Sequence, residues 1–214
     1  MSFPRTLHCL LFSGFLLVSL LPAGATFSFA GSVDDIDIRN FGKIDDNYYR
    51  GGQPEEEDFI ALRKLGVRTV IDLQEKGKRD EPKWVENAGM KFFKIRLSTT
   101  RRPTAEETEY FLKLVNDPEN QPVFVHCAGG KHRTGSMTAI YRITHDAWTA
   151  ERAYQEMEEY GYYDFPSPLH LFGLNQAAHK KHVFDYYEKH LRAMKRDGVL
   201  AGTSAGSASG TESH

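Results

Sequence analysis

Residues 125–135 read Val-His-Cys-Ala-Gly-Gly-Lys-His-Arg-Thr-Gly, and they join an apolar strand pattern, PVFVH at 122–126, to a helical pattern. A glycine-containing loop at the N-terminus of a helix turns several backbone N–H groups inward, and the helix dipole adds positive potential. The segment therefore predicts a cradle for an anion.

Three side chains of this segment predict a reaction at the cradle. The potential that holds an anion also stabilises a thiolate, so we expect the pKa of Cys127 to fall from about 8.5 towards the range of roughly 3.5–7.5 seen in activated cysteines. The thiolate is the expected nucleophile. Arg133 is expected to bind two phosphate oxygens with its planar guanidinium, which a lysine cannot imitate. Thr134 is expected to donate its hydroxyl to the sulfur and improve it as a leaving group.

The loop residues around the nucleophile are the predicted substrate-binding set. Their members are His126, Ala128, Gly129, Gly130, Lys131, His132 and Arg133. We expect His126 to orient the loop through ring hydrogen bonds instead of transferring protons. Two interpretations of Lys131 and His132 stay open. They raise the positive electrostatic potential for a multiply charged substrate, or they are solvated side chains on a tight turn.

The stretch HCAGGKHRTG resembles the H-C-x5-R-T-G signature of the protein tyrosine and dual-specificity phosphatase superfamily. The resemblance extends over residues 38–192, with looser matches at YRGGQP (49–54) and TVIDL (69–73). It implies the cysteine phosphatase fold and a phosphocysteine intermediate. GKHRTG is similar to plant and fungal atypical dual-specificity phosphatases, some of which act on inositol pyrophosphates. The apolar run near the N-terminus, which indicates export, is more similar to bacterial periplasmic tyrosine phosphatases of this fold.

The general acid stays open. The resemblance implies an aspartate after an earlier strand, but residues 97–107 contain no aspartate. Glu106 or Glu107, at the start of the next helix, and Asp164 are the candidates at other positions. Each also has a structural interpretation, because residues 104–107 fit a helix capping box and Asp164 fits a turn before Pro166.

The order of patterns along the chain predicts the fold class. Apolar runs at 67–73, 92–97 and 122–126 are typical of buried parallel strands, and residues 39–50 predict a short hairpin. Helical patterns separate and follow these runs at 55–65, 82–88, 104–115, 134–145, 149–160 and 168–195. This alternation predicts an α/β fold with a central, mostly parallel sheet flanked by helices.

The first residues predict export and the rest a single domain. The apolar run from Cys9 to Leu21 precedes the small residues at 23–25, as in a secretory signal peptide, and it is short for a membrane-spanning helix of about 20 residues. An uncleaved anchor is the rival reading. We expect a signal peptide at 1–25, an extension at 26–37, a phosphatase domain at 38–196 and a disordered tail at 197–214. The mature protein is expected to be periplasmic or secreted, without stable membrane association.

Composition limits the partners. A formal net charge of −2 gives no indication of nucleic acid binding. Cleavage of the signal would leave Cys127 as the single cysteine, so no intramolecular disulfide is expected. We expect no metal, no cofactor and a monomer. His179 and His182 lie three residues apart, but the lysines at 180 and 181 between them favour a solvated basic face over a metal pair.

Three functions follow from these patterns. The first is hydrolysis of phosphomonoesters, on phosphotyrosine or on dual-specificity phosphoprotein substrates, through a phosphocysteine. The second is removal of phosphate from inositol phosphates or phosphoinositides, which the sequence GKHR at 130–133 favours. The third, from another class, is a pseudophosphatase that keeps the cradle and binds phosphate but lacks the acid.

Overall fold

The computed structural model describes residues 32–33, 36–163 and 177–197 of the chain. The predicted signal peptide at 1–25, nearly all of the predicted tail, Asp164 and the first part of the predicted last helix lie outside these residues. The expectations for them are therefore not tested by the structure.

Five strands and six helices form the described part of the chain. The strands are β1 (Gly42–Asp45), β2 (Tyr48–Gly51), β3 (Thr69–Gln74), β4 (Lys91–Leu97) and β5 (Val123–His126). The helices are α1 (Asp58–Lys64), α2 (Glu81–Asn87), α3 (Ala105–Asn116), α4 (His132–His145), α5 (Ala150–Glu159) and α6 (Ala177–Arg196). Each predicted strand and helix has its counterpart, with ends that differ by a few residues, except that the predicted start of the last helix at 168 lies outside the described residues.

The strands form one sheet in the order β1-β2-β5-β3-β4. Strand β1 pairs with β2 antiparallel, whereas the pairs β2–β5, β5–β3 and β3–β4 are parallel. The predicted mostly parallel sheet is confirmed. Because β2, β5 and β3 run in the same direction, their carboxyl ends meet at one edge, where open parallel sheets place ligands.

Both faces of the sheet are covered by helices. Adjacent residues of a strand point to opposite faces, and Tyr48 and Tyr49 accordingly belong to different hydrophobic clusters. The cluster of Tyr48 includes Phe111 of α3 and Met137 of α4, and that of Tyr49 includes Phe59 of α1. A third cluster joins α4, α5 and α6.

Helix α6 corrects one expectation. His179 and His182 are buried, with exposed fractions of 1% and 9%, so the predicted solvated face is wrong for these two side chains. Val183 on the same face packs against the cluster that α4 and α5 share. The prediction rested on the two lysines between the histidines. Residues 179, 182 and 183 share one helical face, and the lysines lie outside that face, so they do not indicate its exposure. None of the described helices has an apolar stretch that is long enough to cross a bilayer.

Candidate active site

The predicted cradle lies at the carboxyl edge of the sheet. His126 ends β5, Cys127 follows it directly, and α4 begins at His132. In the parallel register, Gly51 at the end of β2 lies opposite His126. The loop at 127–131 is therefore flanked by the segment that leaves β2.

Three consecutive carbonyl groups of the loop are tied to the segment at 40–53. The bonds are Gln53 N–H to the Ala128 oxygen (3.3 Å), Asn40 Nδ2–H to the Gly129 oxygen (2.6 Å) and Arg50 Nη2–H to the Gly130 oxygen (2.5 Å). Carbonyl oxygens that accept bonds on the outer side of a tight loop leave its amide N–H groups to face the inner side. These three hydrogen bonds therefore explain why the loop amide groups face the predicted anion site.

Gly130 is required by the same arrangement. Its φ is +69°, and a Cβ atom there would lie 2.7 Å from the Gly51 carbonyl carbon and 2.8 Å from the Gly52 nitrogen. Such contacts are with backbone, which cannot move aside cheaply. The close approach of the two segments therefore excludes a side chain at position 130.

Arg50 is fully buried beneath the loop. Its guanidinium lies 3.8 Å from the ring centre of Tyr160 and donates to the Gly130 oxygen, and burial lowers its pKa. No carboxylate among the described residues forms an ion pair with it. A buried cation without an acidic partner is costly, and its positive charge is directed at the loop that holds Cys127.

Cys127 is almost fully buried, with an exposed fraction of 3%. Burial raises its pKa, but the charge of Arg133, the Thr134 hydroxyl and the backbone N–H groups of Thr134 and Gly129 together outweigh it, and the pKa lies below its ordinary value. The Thr134 hydroxyl is buried and bonds to no oxygen or nitrogen of the described residues, which leaves the sulfur as its acceptor. The geometry thus favours a thiolate that is solvated by the protein.

A buried network of charges lies behind the nucleophile. The His126 Nε2 atom is 2.9 Å from a Glu81 carboxylate oxygen, and Asp72 forms an ion pair of 2.6 Å with Lys94. Burial lowers the pKa of His126, but Glu81, Asp72 and the Cys127 sulfur raise it above its ordinary value. Oxygen and nitrogen atoms of Asp72, Glu81 and His126 lie within 4.8 Å of one another. Glu81, whose carboxylate lies 2.9 Å from Nε2, therefore favours the protonated form of His126 next to the nucleophile.

A cavity of about 290 Å³ opens above the thiolate. Its described lining is Arg39, Thr99, Cys127, Ala128, Gly129, Lys131, His132, Arg133, Tyr163 and His179. The structure therefore brings together most of the predicted substrate-binding residues, and it places Lys131 and His132 at the cavity. His126 and Gly130 support the loop from below and do not line the cavity.

No carboxylate is present among the described residues that line the cavity. Glu106 is exposed at the start of α3, where hydrogen bonds to its own backbone N–H and to Thr104 lower its pKa. A general acid has to hold its proton near neutral pH, which this environment disfavours. Glu107 forms the predicted capping box with Thr104 and pairs with Arg101. The structure gives Glu106 no place at the cavity, and Asp164 lies outside the described residues.

Several residues of the site are not predicted by the sequence patterns. Asn40, Arg50 and Gln53 hold the loop carbonyls, Glu81 holds His126, and Arg39 and His179 line the cavity. The match at YRGGQP marked Arg50 without a role. The others lie far from the signature in sequence. The pairing of β2 with β5, the packing of α6 and the position of α2, which carries Glu81, bring them near it.

Comparisons with known proteins agree with this geometry. A family model described as DSP-PTPase phosphatase fused to NAD+ Kinase matches residues 26–165, well over half of the 214 residues. The inositol diphosphatase DSP2 of Oryza sativa is 27% identical over 146 residues, which are 64% of this chain and 71% of that protein. The dual specificity protein phosphatase TpbA of Pseudomonas aeruginosa is 28% identical over 125 residues, which are 58% of this chain and 56% of TpbA.

Solved structures share the fold. The catalytic core of the PP-IP phosphatase Siw14 from S. cerevisiae aligns with a TM-score of 0.60 at 20% identity, over 77% of this chain and 96% of that one. TpbA in complex with pTyr aligns with a TM-score of 0.54 at 24% identity, over 77% of this chain and 98% of that one. At these identities the likeness concerns the fold.

The first prediction concerns Gly130. We expect Gly130→Ala to lower the free energy of unfolding by roughly 2 kcal/mol or more, because the variant combines a positive φ with backbone overlap. It should also weaken the binding of inorganic phosphate. Urea denaturation and calorimetric titration measure the two effects. Gly129→Ala is the matched control, since its Cβ would meet nothing closer than the Lys131 Cγ at 4.0 Å. Equal stability of the two variants would contradict the proposed constraint.

The second prediction concerns the thiolate. A lowered pKa means that the ionised fraction persists at lower pH, so the alkylation rate of Cys127 by iodoacetamide should have its midpoint below the ordinary thiol value of about 8.5. Arg133→Met should move the midpoint upward, because it removes the charge that favours the thiolate. Arg101→Met changes the net charge equally on an exposed side chain and should leave the midpoint in place. A wild-type midpoint at or above about 8.5 would refute a stabilised thiolate.

Proposed function

Since this chain belongs to the DSP-PTPase phosphatase family, we propose that it hydrolyses phosphate esters through a phosphocysteine at Cys127. The observation that carries the proposal is the loop at 127–131, in which a sulfur with a lowered pKa sits among amide groups, the Thr134 hydroxyl and the Arg133 guanidinium. The amide groups and the Arg133 guanidinium can bind the phosphate oxygens, and this places the phosphorus next to the Cys127 sulfur.

The reaction has two displacements. The Cys127 thiolate attacks phosphorus, an S–P bond forms, and the P–O bond to the leaving group breaks with the electron pair on that oxygen. Arg133 and the loop amides stabilise the charge on the equatorial oxygens. Water then attacks phosphorus, the S–P bond breaks, phosphate departs and the thiolate is restored. The Thr134 hydroxyl stabilises the departing sulfur in this second step.

The described lining of the cavity favours leaving groups that depart without a proton, while Asp164 lies outside the described residues. Its described lining offers no carboxylate to protonate the leaving oxygen. A phenol has a pKa of about 10, so the phenolate of phosphotyrosine leaves more easily than the alkoxide of phosphoserine. A phosphate that leaves from a diphosphate has a second pKa of about 6 and leaves more easily still. Phosphotyrosine and diphosphate groups are accordingly the proposed substrates.

A second candidate substrate is an inositol phosphate that carries several phosphate groups. Arg39 and Lys131 lie at the cavity together with Arg133, so more than one phosphate can find a cation there. The Lys131 ammonium also lies 5.4 Å from the ring centre of Tyr163, which holds it at the mouth. The names of the relatives in rice and yeast agree with this candidate, and that of TpbA agrees with phosphotyrosine.

The third prediction ranks these functions. Turnover of a phosphotyrosine peptide, a matched phosphoserine peptide and an inositol diphosphate is compared on one preparation of the full chain. We expect the phosphoserine peptide to be the slowest, because its alkoxide needs a proton. Cys127→Ser should lower all turnover by roughly a thousandfold or more while phosphate binding persists. If the folded wild-type protein binds phosphate but turns over none of the three, it is a pseudophosphatase.

Two double variants that each remove two positive charges test whether the substrate is an inositol diphosphate or a phosphotyrosine peptide. The double variant Arg39→Met, Lys131→Met should lower kcat/KM for the inositol diphosphate by about tenfold more than for the phosphotyrosine peptide, since each lost ion pair is worth up to about 1 kcal/mol. The double variant Arg101→Met, Arg102→Met removes the same net charge away from the cavity. Equal losses for both substrates would count against the inositol candidate.

A further inference from the structure

His179 has no role in the chemistry above, although its side chain reaches the cavity. It lies in the first turn of α6, only 1% of it is exposed, and it lines the cavity that Cys127 and Arg133 share. Its Nδ1 atom lies 3.2 Å from the Ser136 hydroxyl, and its Nε2 atom is buried without a hydrogen-bond partner among the described residues. A buried polar atom of this kind needs an explanation.

The contacts of Ser136 favour one tautomer of this imidazole. The Ser136 hydroxyl lies 3.2 Å from the Arg133 carbonyl oxygen and 3.2 Å from His179 Nδ1. A carbonyl can only accept, and the hydroxyl has one proton. Both contacts are hydrogen bonds if the hydroxyl donates to the carbonyl and accepts from Nδ1–H. The Nε2 atom of His179 then carries a lone pair and is an acceptor.

His179 keeps this acceptor at neutral pH. Burial, together with repulsion from His132, Arg133 and His182 in their charged forms, lowers the pKa of His179 to about 3. The cations at the cavity, Arg39, Lys131 and Arg133, can only donate hydrogen bonds. A lone pair among them repels phosphate oxygens, so it matches a donor on the substrate better than a second phosphate.

We propose that His179 Nε2 accepts a hydrogen bond from a substrate hydroxyl that neighbours the phosphate to be cleaved. The preferred substrates would then be phosphates of polyols, or aryl phosphates with an adjacent hydroxyl, over substrates that lack a donor at this place. The inference rests on the proposed phosphatase activity and specifies its substrate. His179 is thereby a specificity-determining residue that contacts substrate, distinct from the loop that performs the chemistry.

The test uses two substrates that differ by one hydroxyl, phenyl phosphate and 2-hydroxyphenyl phosphate. The ratio of their kcat/KM values is measured for the full-length wild type and for each variant, so that differences in leaving group cancel between proteins. His179→Phe removes the acceptor and should lower this ratio by roughly tenfold, as expected for one hydrogen bond. His179→Gln keeps an amide oxygen within reach and should retain most of the preference.

His182→Phe is the matched control. His182 lies one turn along α6, is also buried, and bonds to Thr108 instead of lining the cavity. It should leave the ratio unchanged. An unchanged ratio in a folded His179→Phe variant, or an equal loss in His182→Phe, would overturn the proposal.

A measurement on the wild type covers the case in which the variants do not fold. A 2-methoxy group fills the position but has no proton to donate, so wild-type protein should hydrolyse 2-hydroxyphenyl phosphate roughly tenfold better than 2-methoxyphenyl phosphate. Absence of this preference would overturn the role of His179. Absence of turnover on phenyl phosphate itself would instead refute the phosphatase function, so the two failures are distinguishable.

Discussion

The site depends on three hydrogen bonds that pull consecutive carbonyl groups of the loop at 128–130 towards the segment at 40–53. A tight loop has only two sides, so fixing the oxygens on one side presents the amide groups to the other. This single constraint explains why Gly130 has to be a glycine and why a fully buried arginine lies beneath the loop. It also explains why the nucleophile follows the strand that pairs with β2.

Charge within the site is arranged so that a buried sulfur can stay ionised. Burial by itself would protonate Cys127, and Arg133, Thr134 and two backbone amides reverse this preference. Behind them, Glu81 raises the pKa of His126, and Asp72 and Lys94 compensate one another. An incoming phosphate therefore meets positive potential that exists before it binds, and little reorganisation is needed during the reaction.

Two helices on one face of the sheet meet at the cavity. Helix α4 provides the loop with its N-terminal dipole and carries Arg133, Thr134 and Ser136, while α6 brings His179 to the same cavity. If His179 selects the substrate as proposed, the chemistry and the substrate choice are encoded in segments that are separated by more than forty residues.

The sequence by itself determined the sheet class, the nucleophile candidate and the phosphate clamp. Strand, glycines, cysteine, arginine and helix lie within fifteen consecutive residues, so local geometry constrains them. It also predicted the capping box at Thr104, which is local for the same reason. Tertiary structure decided the partners of those residues: Arg50 and Asn40 reach the loop because β2 pairs with β5, and Glu81 reaches His126 because α2 covers the opposite face. It likewise decided that His179 and His182 are buried, since a helix with basic residues looks solvated until the surface that covers its other face is known.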